Sequence, residues 1–175
     1  MPASHMHTSL ILKPSPDVLA AILELEKKCF PQSWQYPDAE KYYSEKLNDA
    51  FSVNVCLFSE ESIVGYALAQ PLNAVLSDLL PHDPQLVADS RMMYFETIQV
   101  LPRFQRAGGG QLLHEHVMSE SARRGYLAIS LHARCVNCAN LRVRRRYTTR
   151  IATARSIANW FWGGGEQYEY IEIIL

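Results

Sequence analysis

Gly108, Gly109 and Gly110 give this chain its clearest chemistry. They stand in the run Val100-Leu101-Pro102-Arg103-Phe104-Gln105-Arg106-Ala107-Gly108-Gly109-Gly110-Gln111-Leu112-Leu113. The segment before it, Met92 to Val100, reads as a β-strand. The segment after it, Gly108 to Arg124, reads as an amphipathic helix with Leu112, Leu113 and Val117 on its apolar face. Glycines at a strand-to-helix turn leave backbone N–H groups unobstructed by Cβ atoms. Such groups point out of a helix N-terminus, where the dipole also favours negative charge. Arg106 adds a fixed positive charge. Together these residues form a cradle for a pyrophosphate.

Other phosphate loops fit less well. A P-loop needs Lys-Ser or Lys-Thr after its glycines, and none follows here. The dinucleotide fingerprint needs a third glycine where Leu113 stands, and needs its first directly after the strand. The remaining pattern is Gln105-x-x-Gly108-x-Gly110, preceded by Val100-x-Pro102. It resembles motif A of the GNAT superfamily of acyl-CoA-dependent N-acyltransferases, whose form is [QR]-x-x-G-x-[GA]. The plain alternative is a glycine-rich turn that caps a core helix.

The elements that must position this loop follow from punctuation and periodicity. Thr8 to Lys13 reads as a first strand. Asp17 can cap a helix that runs to about Cys29, with Val18, Ala21, Ile22 and Leu25 on one face. Pro37 to Asn48 reads as a second helix. Ser52 to Phe58 and Ile63 to Ala69 flank Ser59-Glu60-Glu61-Ser62 as a hairpin. Pro71 to Arg91 holds two further prolines, Pro81 and Pro84, and reads as a long irregular insertion. Tyr126 to Ala133 reads as a strand, and Asn137 opens a helix to about Tyr147. Ser156 to Trp162 and Tyr168 to Leu175 flank Gly163-Gly164-Gly165 as a closing hairpin.

This order is that of the GNAT fold. The resemblance implies an α/β (α+β) domain, with a mixed central sheet of six to seven strands and about four helices. That sheet would splay at the acyl-CoA site. One domain over residues 8–175 is expected, and residues 1–7 read as a tag-like start outside it.

Composition agrees. The chain has 175 residues, 48% of them hydrophobic, enough for one domain with a substantial core. Its formal net charge of −1 gives no global field for nucleic acid or an anionic membrane. No apolar run reaches the ~18 residues of a membrane span, and no signal peptide is evident, so a cytoplasmic location is expected. Cys29, Cys56, Cys135 and Cys138 are expected to be reduced thiols. Cys135-x-x-Cys138 lacks a second ligand pair, with His132 the one nearby candidate, so no metal is expected.

By the resemblance, acetyl-CoA is the cosubstrate. Main-chain groups of Ile98, Gln99 and Val100 would pair with its pantetheine arm. Gln105, Arg106, Ala107, Gly108, Gly109, Gly110 and Gln111 would wrap its pyrophosphate. In related amine acetyltransferases the base often projects from the motif A strand. The corresponding residues here are Tyr94 and Glu96, which share a face because strand side chains alternate. Glu96 is the better base, directly or through a water; the alternative is an exposed carboxylate or an arginine's partner. Tyr94 is either a core aromatic or a residue that orders the acceptor.

The second half of the site departs from the family pattern N-x-x-A-x-x-[LF]-Y-x-x-x-G-F. Asn137 fits its first position, where it would contact CoA or cap the helix. Asn140 replaces the alanine, and Arg144 stands where the acid tyrosine belongs. Tyr147 is a substitute acid by its proximity, and Arg144 could serve the departing thiolate electrostatically. His114, His116 and His132 read as surface or cap residues. The arginines from 134 to 155 read as a solvated face that partly serves the CoA 3′-phosphate, with an RNA patch as the lesser reading.

The acceptor is expected to be a small primary amine, with Phe30 and Trp34 contributing to its site. The aromatic Trp160, Phe161 and Trp162 resemble the closing hairpin of N-terminal alanine acetyltransferases. A protein N-terminus or ribosomal protein is therefore the alternative acceptor. A CoA-binding module without catalysis is the competing class, supported by the arginine at position 144. No membrane or nucleic acid partner is expected, and a homodimer is left open.

Overall fold

The computed structural model describes residues 5–136, 138–158 and 166–175. The elements run β1 (Met6–Leu10), α1 (Pro16–Cys29), α2 (Ala39–Asn48), β2 (Val53–Ser59), β3 (Ser62–Pro71), α3 (Leu72–Leu79), β4 (Met92–Val100), α4 (Gly109–Arg123), β5 (Ala128–Arg134), α5 (Ala139–Arg146), β6 (Ile151–Ala158) and β7 (Gln167–Ile174). The strands form a seven-stranded sheet in the order β1-β2-β3-β4-β5-β7-β6. The pairing of β4 with β5 is parallel. Those of β1 with β2, β2 with β3, β5 with β7 and β6 with β7 are antiparallel.

The chain divides into two compact units. One comprises Met1–Ala69 and Thr97–Glu120, the other Gln70–Glu96 and Ser121–Leu175. In the first, α1 is capped by Ser15 rather than Asp17. The Ser15 hydroxyl accepts from the Val18 amide at 3.3 Å, Pro16 takes the first turn, and Asp17 adds charge there. Ile22 and Leu25 of α1 pack with Tyr43 and Leu47 of α2 and with Cys56, Tyr66 and Leu68 of the sheet. Each such side chain fully buried contributes about 1.5–3 kcal/mol. Helix α2 starts at Ala39, two residues later than the sequence pattern suggests, because the chain first turns at Pro37-Asp38. The hairpin closes on Glu60 and Glu61, with Ser59 paired to Ser62 and Glu60 at φ 57°.

Strand β1 begins at Met6, so Met6 and His7, set aside above, belong to it. His7 stacks on Phe58 at 5.3 Å between centroids.

The insertion is more ordered than its prolines suggest. Leu72, Val75, Leu76 and Leu79 recur at helical spacing and build α3. With Leu86 they pack on Met92, Tyr94, Ile157, Tyr168 and Tyr170 of the second unit. Pro71 sits at the N-cap position, where its missing N–H costs nothing. The closing hairpin is β6 with β7, and β6 starts earlier than expected, at Ile151. Gly163, Gly164 and Gly165 lie outside the described residues, as do Trp160, Phe161 and Trp162.

Gly65 marks a close approach of two backbones. A Cβ there would lie 2.8 Å from the Gln99 carbonyl oxygen and 3.2 Å from Leu113 Cδ1. The Gly65→Ala substitution is therefore expected to destabilise the protein by about 1–3 kcal/mol, read as a lower urea midpoint with unchanged slope.

Candidate active site

Strand β4 has the bounds the sequence implied, and its two ends carry different chemistry. Its parallel register with β5 runs from Met92–Ala128 to Tyr94–Ser130. Both strands continue beyond that point, to Val100 and Arg134. Near its C-terminal end, the Gln99 carbonyl faces β3, as its closeness to Gly65 shows. The Leu101 amide likewise donates to the Val64 carbonyl at 2.9 Å. Main-chain groups alternate along a strand, so those of Ile98 and Val100 face the opposite edge. Of the three residues expected to serve a pantetheine arm, Gln99 turns its carbonyl towards β3.

The loop after β4 is built by local hydrogen bonds. A short 3-10 turn covers Pro102–Phe104. The Gln105 side-chain amide donates back to the Val100 carbonyl at 2.9 Å, closing the loop onto the strand end. Arg106 and Gly108 take positive φ, 65° and 90°. Gly108 needs its freedom of φ and has open space where a Cβ would stand. Gly109 needs the missing atom itself, since a Cβ would lie 2.6 Å from Leu57 Cδ2. Gly110 has room, with Ile98 Cδ1 at 3.9 Å. The amides of Gln111 and Leu112 both return to the Gly108 carbonyl, at 3.0 and 3.1 Å. Among the described residues, the amides of Ala107, Gly108, Gly109 and Gly110 have no well-formed acceptor. These four donors, exposed at Ala107 and Gly108 and covered at Gly109, lie at the start of a 15-residue helix and suit a diphosphate.

Glu96 is half-buried and accepts a hydrogen bond from the side-chain amide of Gln70, a residue that no motif singles out. Tyr94 is buried in the core of the second unit. Its hydroxyl lies 3.0 Å from His132 Nδ1. His132 Nε2 lies 2.9 Å from Asp83 Oδ2, and Arg155 Nη2 is 2.5 Å from the same oxygen. The Arg155 guanidinium also stands 4.4 Å over the Tyr170 ring. His132 is thus a core residue, contrary to the surface reading. Burial pushes its pKa down to about 4, against the opposing pull of Asp83. Burial opposes the charge on Asp83, but hydrogen bonds from Arg155 and His132 outweigh it and hold the carboxyl below its usual value. Burial pushes the Tyr94 phenol well up. With His132 neutral, Nε2–H donates to Asp83, and Nδ1 accepts the Tyr94 proton.

The remaining candidates make local contacts. Arg144 donates to Glu169 at 2.8 Å, and Asn140 donates to the other oxygen of that carboxylate at 3.0 Å. Tyr147 is buried at the C-cap of α5, with the Arg150 guanidinium 5.9 Å from its ring. Asn137 lies outside the described residues, and Cys138 takes the N-cap position of α5 at φ 59°. Phe30 and Trp34 are half-buried with ring centroids 6.5 Å apart. A cleft of about 720 Å³ lies beside them in sequence, lined by Leu19, Leu23, Glu26, Tyr36, Asp38 and Lys41 among others. All four cysteines are free, and among the described residues no cluster of three or more His, Cys, Asp and Glu could hold a metal ion. Among the same residues no helix is long and apolar enough to cross a membrane.

The depressed pKa of His132 has a consequence for stability. The unfolded chain binds a proton at this histidine below pH ~6.5, and the folded chain does not until about 4. Stability is therefore expected to fall as pH drops from 6.5 towards 4. Urea melts across that range are expected to show a shallower loss for His132→Gln than for the parent protein.

Comparison with known proteins gives this geometry its context. The model of the acetyltransferase (GNAT) family matches residues 19–150. No curated protein matches the chain in sequence. Solved structures do match in fold. The ribosomal-protein-S18-alanine N-acetyltransferase from Escherichia coli is 19% identical, with a TM-score of 0.67 over 97% of this chain and 94% of that one. Arabidopsis thaliana NAA60 in complex with a bisubstrate analogue is 15% identical, with a TM-score of 0.70 over 98% and 99%. Mutant forms of the spermidine/spermine N-acetyltransferase SpeG from Vibrio cholerae are 14% identical, with a TM-score of 0.68 over 98% and 94%. With a family model spanning most of its length and a fold to match, the chain belongs to the GNAT acetyltransferase family.

Proposed function

We propose that this acetyltransferase moves the acetyl group of acetyl-CoA to a small primary amine, with Glu96 as general base. The observation that carries this reading is the content of β4 and its loop. A half-buried carboxylate stands two residues before Ile98, and the strand leads into a turn whose four amides have no well-formed acceptor among the described residues. The amides of Ala107 to Gly110 and the charge of Arg106 hold the diphosphate through charge-assisted hydrogen bonds. The outward main-chain groups of Ile98 receive the pantetheine arm.

The chemistry then balances simply. Glu96 takes one proton from the ammonium of the acceptor. The freed amine attacks the thioester carbonyl, a C–N bond forms and the C–S bond breaks. The second nitrogen proton goes to the CoA thiolate, and Glu96 returns its proton to solvent. A thiolate is a good leaving group, so the reaction does not require the family's acid tyrosine at position 144. The relatives named above act on a protein alanine and on polyamines, which supports an amine acceptor of either size. The half-buried pair Phe30 and Trp34 favours a protein N-terminus as the second reading. Engagement of Arg144 by Glu169 favours the third, a CoA-binding module without turnover.

Free thiol released from acetyl-CoA in the presence of spermidine, tyramine or an alanine-initiated peptide distinguishes these readings. Glu96→Gln is expected to lower turnover by at least about 100-fold while leaving acetyl-CoA affinity within about two-fold; turnover within a few-fold of the parent removes Glu96 as base. Gly108→Asp is expected to weaken CoA binding by at least about ten-fold, since it adds both a strained side chain and a negative charge at the diphosphate. Unchanged affinity in calorimetry would remove the loop from the site.

A further inference from the structure

We propose that Gln70 is the positioning residue of Glu96 and supplies, through its side-chain carbonyl, a second acceptor for the N–H groups of the incoming ammonium. The proposal rests on the assignment of Glu96 as base and deepens it. Gln70 is the penultimate residue of β3, before Pro71, and is only 1% exposed. A buried glutamine amide offers two donors and an acceptor with two lone pairs, and leaving any of them unmet is costly. Gln70 Nε2 donates to Glu96 Oε2. Gln70 Oε1 is buried, and among the described residues it has no hydrogen-bond partner.

The polarity of this contact is fixed by chemistry. An ionised carboxylate only accepts, so the amide must turn its N–H groups to Glu96. That hydrogen bond favours the charged carboxylate, the form a base needs. It also fixes the rotation of the amide plane and so fixes where the carbonyl oxygen stands. If the contact were only structural, a leucine would fill the same space without leaving an orphaned oxygen. The arrangement instead presents two acceptor oxygens from neighbouring side chains, one charged and one neutral.

Tyr94, two residues before Glu96, is already committed to His132, and His132 to Asp83 and Arg155. A ligand that donates to the Gln70 oxygen and gives up a proton to Glu96 brings at least two donors. A primary ammonium does so, and an alcohol does not. The oxygen of Gln70 holds one N–H while Glu96 removes the proton from another. This makes a cationic primary amine, rather than a hydroxyl compound, the acceptor class.

The test compares Gln70→Leu, Gln70→Met and Gln70→Glu with Glu96→Gln, using the panel amine that gives the fastest thiol release. Gln70→Leu and Gln70→Met are expected to lower kcat/KM for the amine by about 10–100-fold, with KM for acetyl-CoA within about two-fold. The acid limb of the pH profile should move to higher pH. Gln70→Glu should move it further, because a second carboxylate disfavours charge on the first. Two hydrophobic variants guard against one that misfolds. A carbon-13 titration of the Glu96 carboxyl gives the same comparison without turnover. If Glu96→Gln is inactive and the leucine and methionine variants keep amine kcat/KM within two-fold with an unmoved acid limb, the role of Gln70 is refuted and the base stands. If Glu96→Gln stays active, the base assignment falls, and this proposal falls with it.

Discussion

The start of α4 packs so closely on the sheet that a side chain at Gly109 would force Leu57 to move. A Cβ at that position would collide with Leu57 Cδ2 at 2.6 Å, and Met6 and Val100 close in from either side at 3.6 Å. The preceding residue, Gly108, supplies a φ of 90° that other residues adopt at a cost. These two requirements set the direction of the helix as it leaves β4. The direction of the helix in turn sets where the amides of Ala107 to Gly110 point. An anion site of this kind needs no dedicated cationic pocket, because backbone donors and the helix dipole carry much of the charge recognition.

The second unit solves a different problem, that of keeping a polar group buried without leaving it unmet. Asp83 comes from the insertion, His132 from β5 and Arg155 from β6, and all three meet at one carboxylate. Each would be expensive to bury alone. Together they fasten the segment after α3 to the sheet, and α3 adds the apolar packing of Leu72, Val75 and Leu79. The direction of the hydrogen bonds follows from the charge state: with Asp83 ionised and His132 neutral, the Tyr94 proton has one place to go. The Tyr94 phenol thereby donates to His132, and Glu96 is the next residue on that face of β4.

What the sequence made legible was local. Strand β4, the glycine turn and the hairpin across Glu60 and Glu61 announce themselves within a dozen residues, through alternation, turn residues and helix periodicity. The family pattern in Gln105-x-x-Gly108-x-Gly110 was equally local. Helix α3 was hidden because it is short and bracketed by Pro71 and Pro81, although its leucines keep the helical spacing. The His132–Asp83 pair joins residues 49 apart in sequence, and Gln70–Glu96 joins residues 26 apart. No spacing rule links such residues, so the histidine read as surface and the glutamine was not singled out. Arg144 was visible as a departure from the family, but its partner Glu169 lies on β7, where only the folded chain brings it near.

The central claim is that main-chain amides between residues 106 and 110 bind the diphosphate of coenzyme A. Nuclear magnetic resonance tests it most directly, with nitrogen-15-labelled protein titrated with coenzyme A. The account predicts that the amide signals of Ala107, Gly108, Gly109 and Gly110 move downfield together as the site saturates. Saturable binding of coenzyme A that leaves those four signals in place would contradict it.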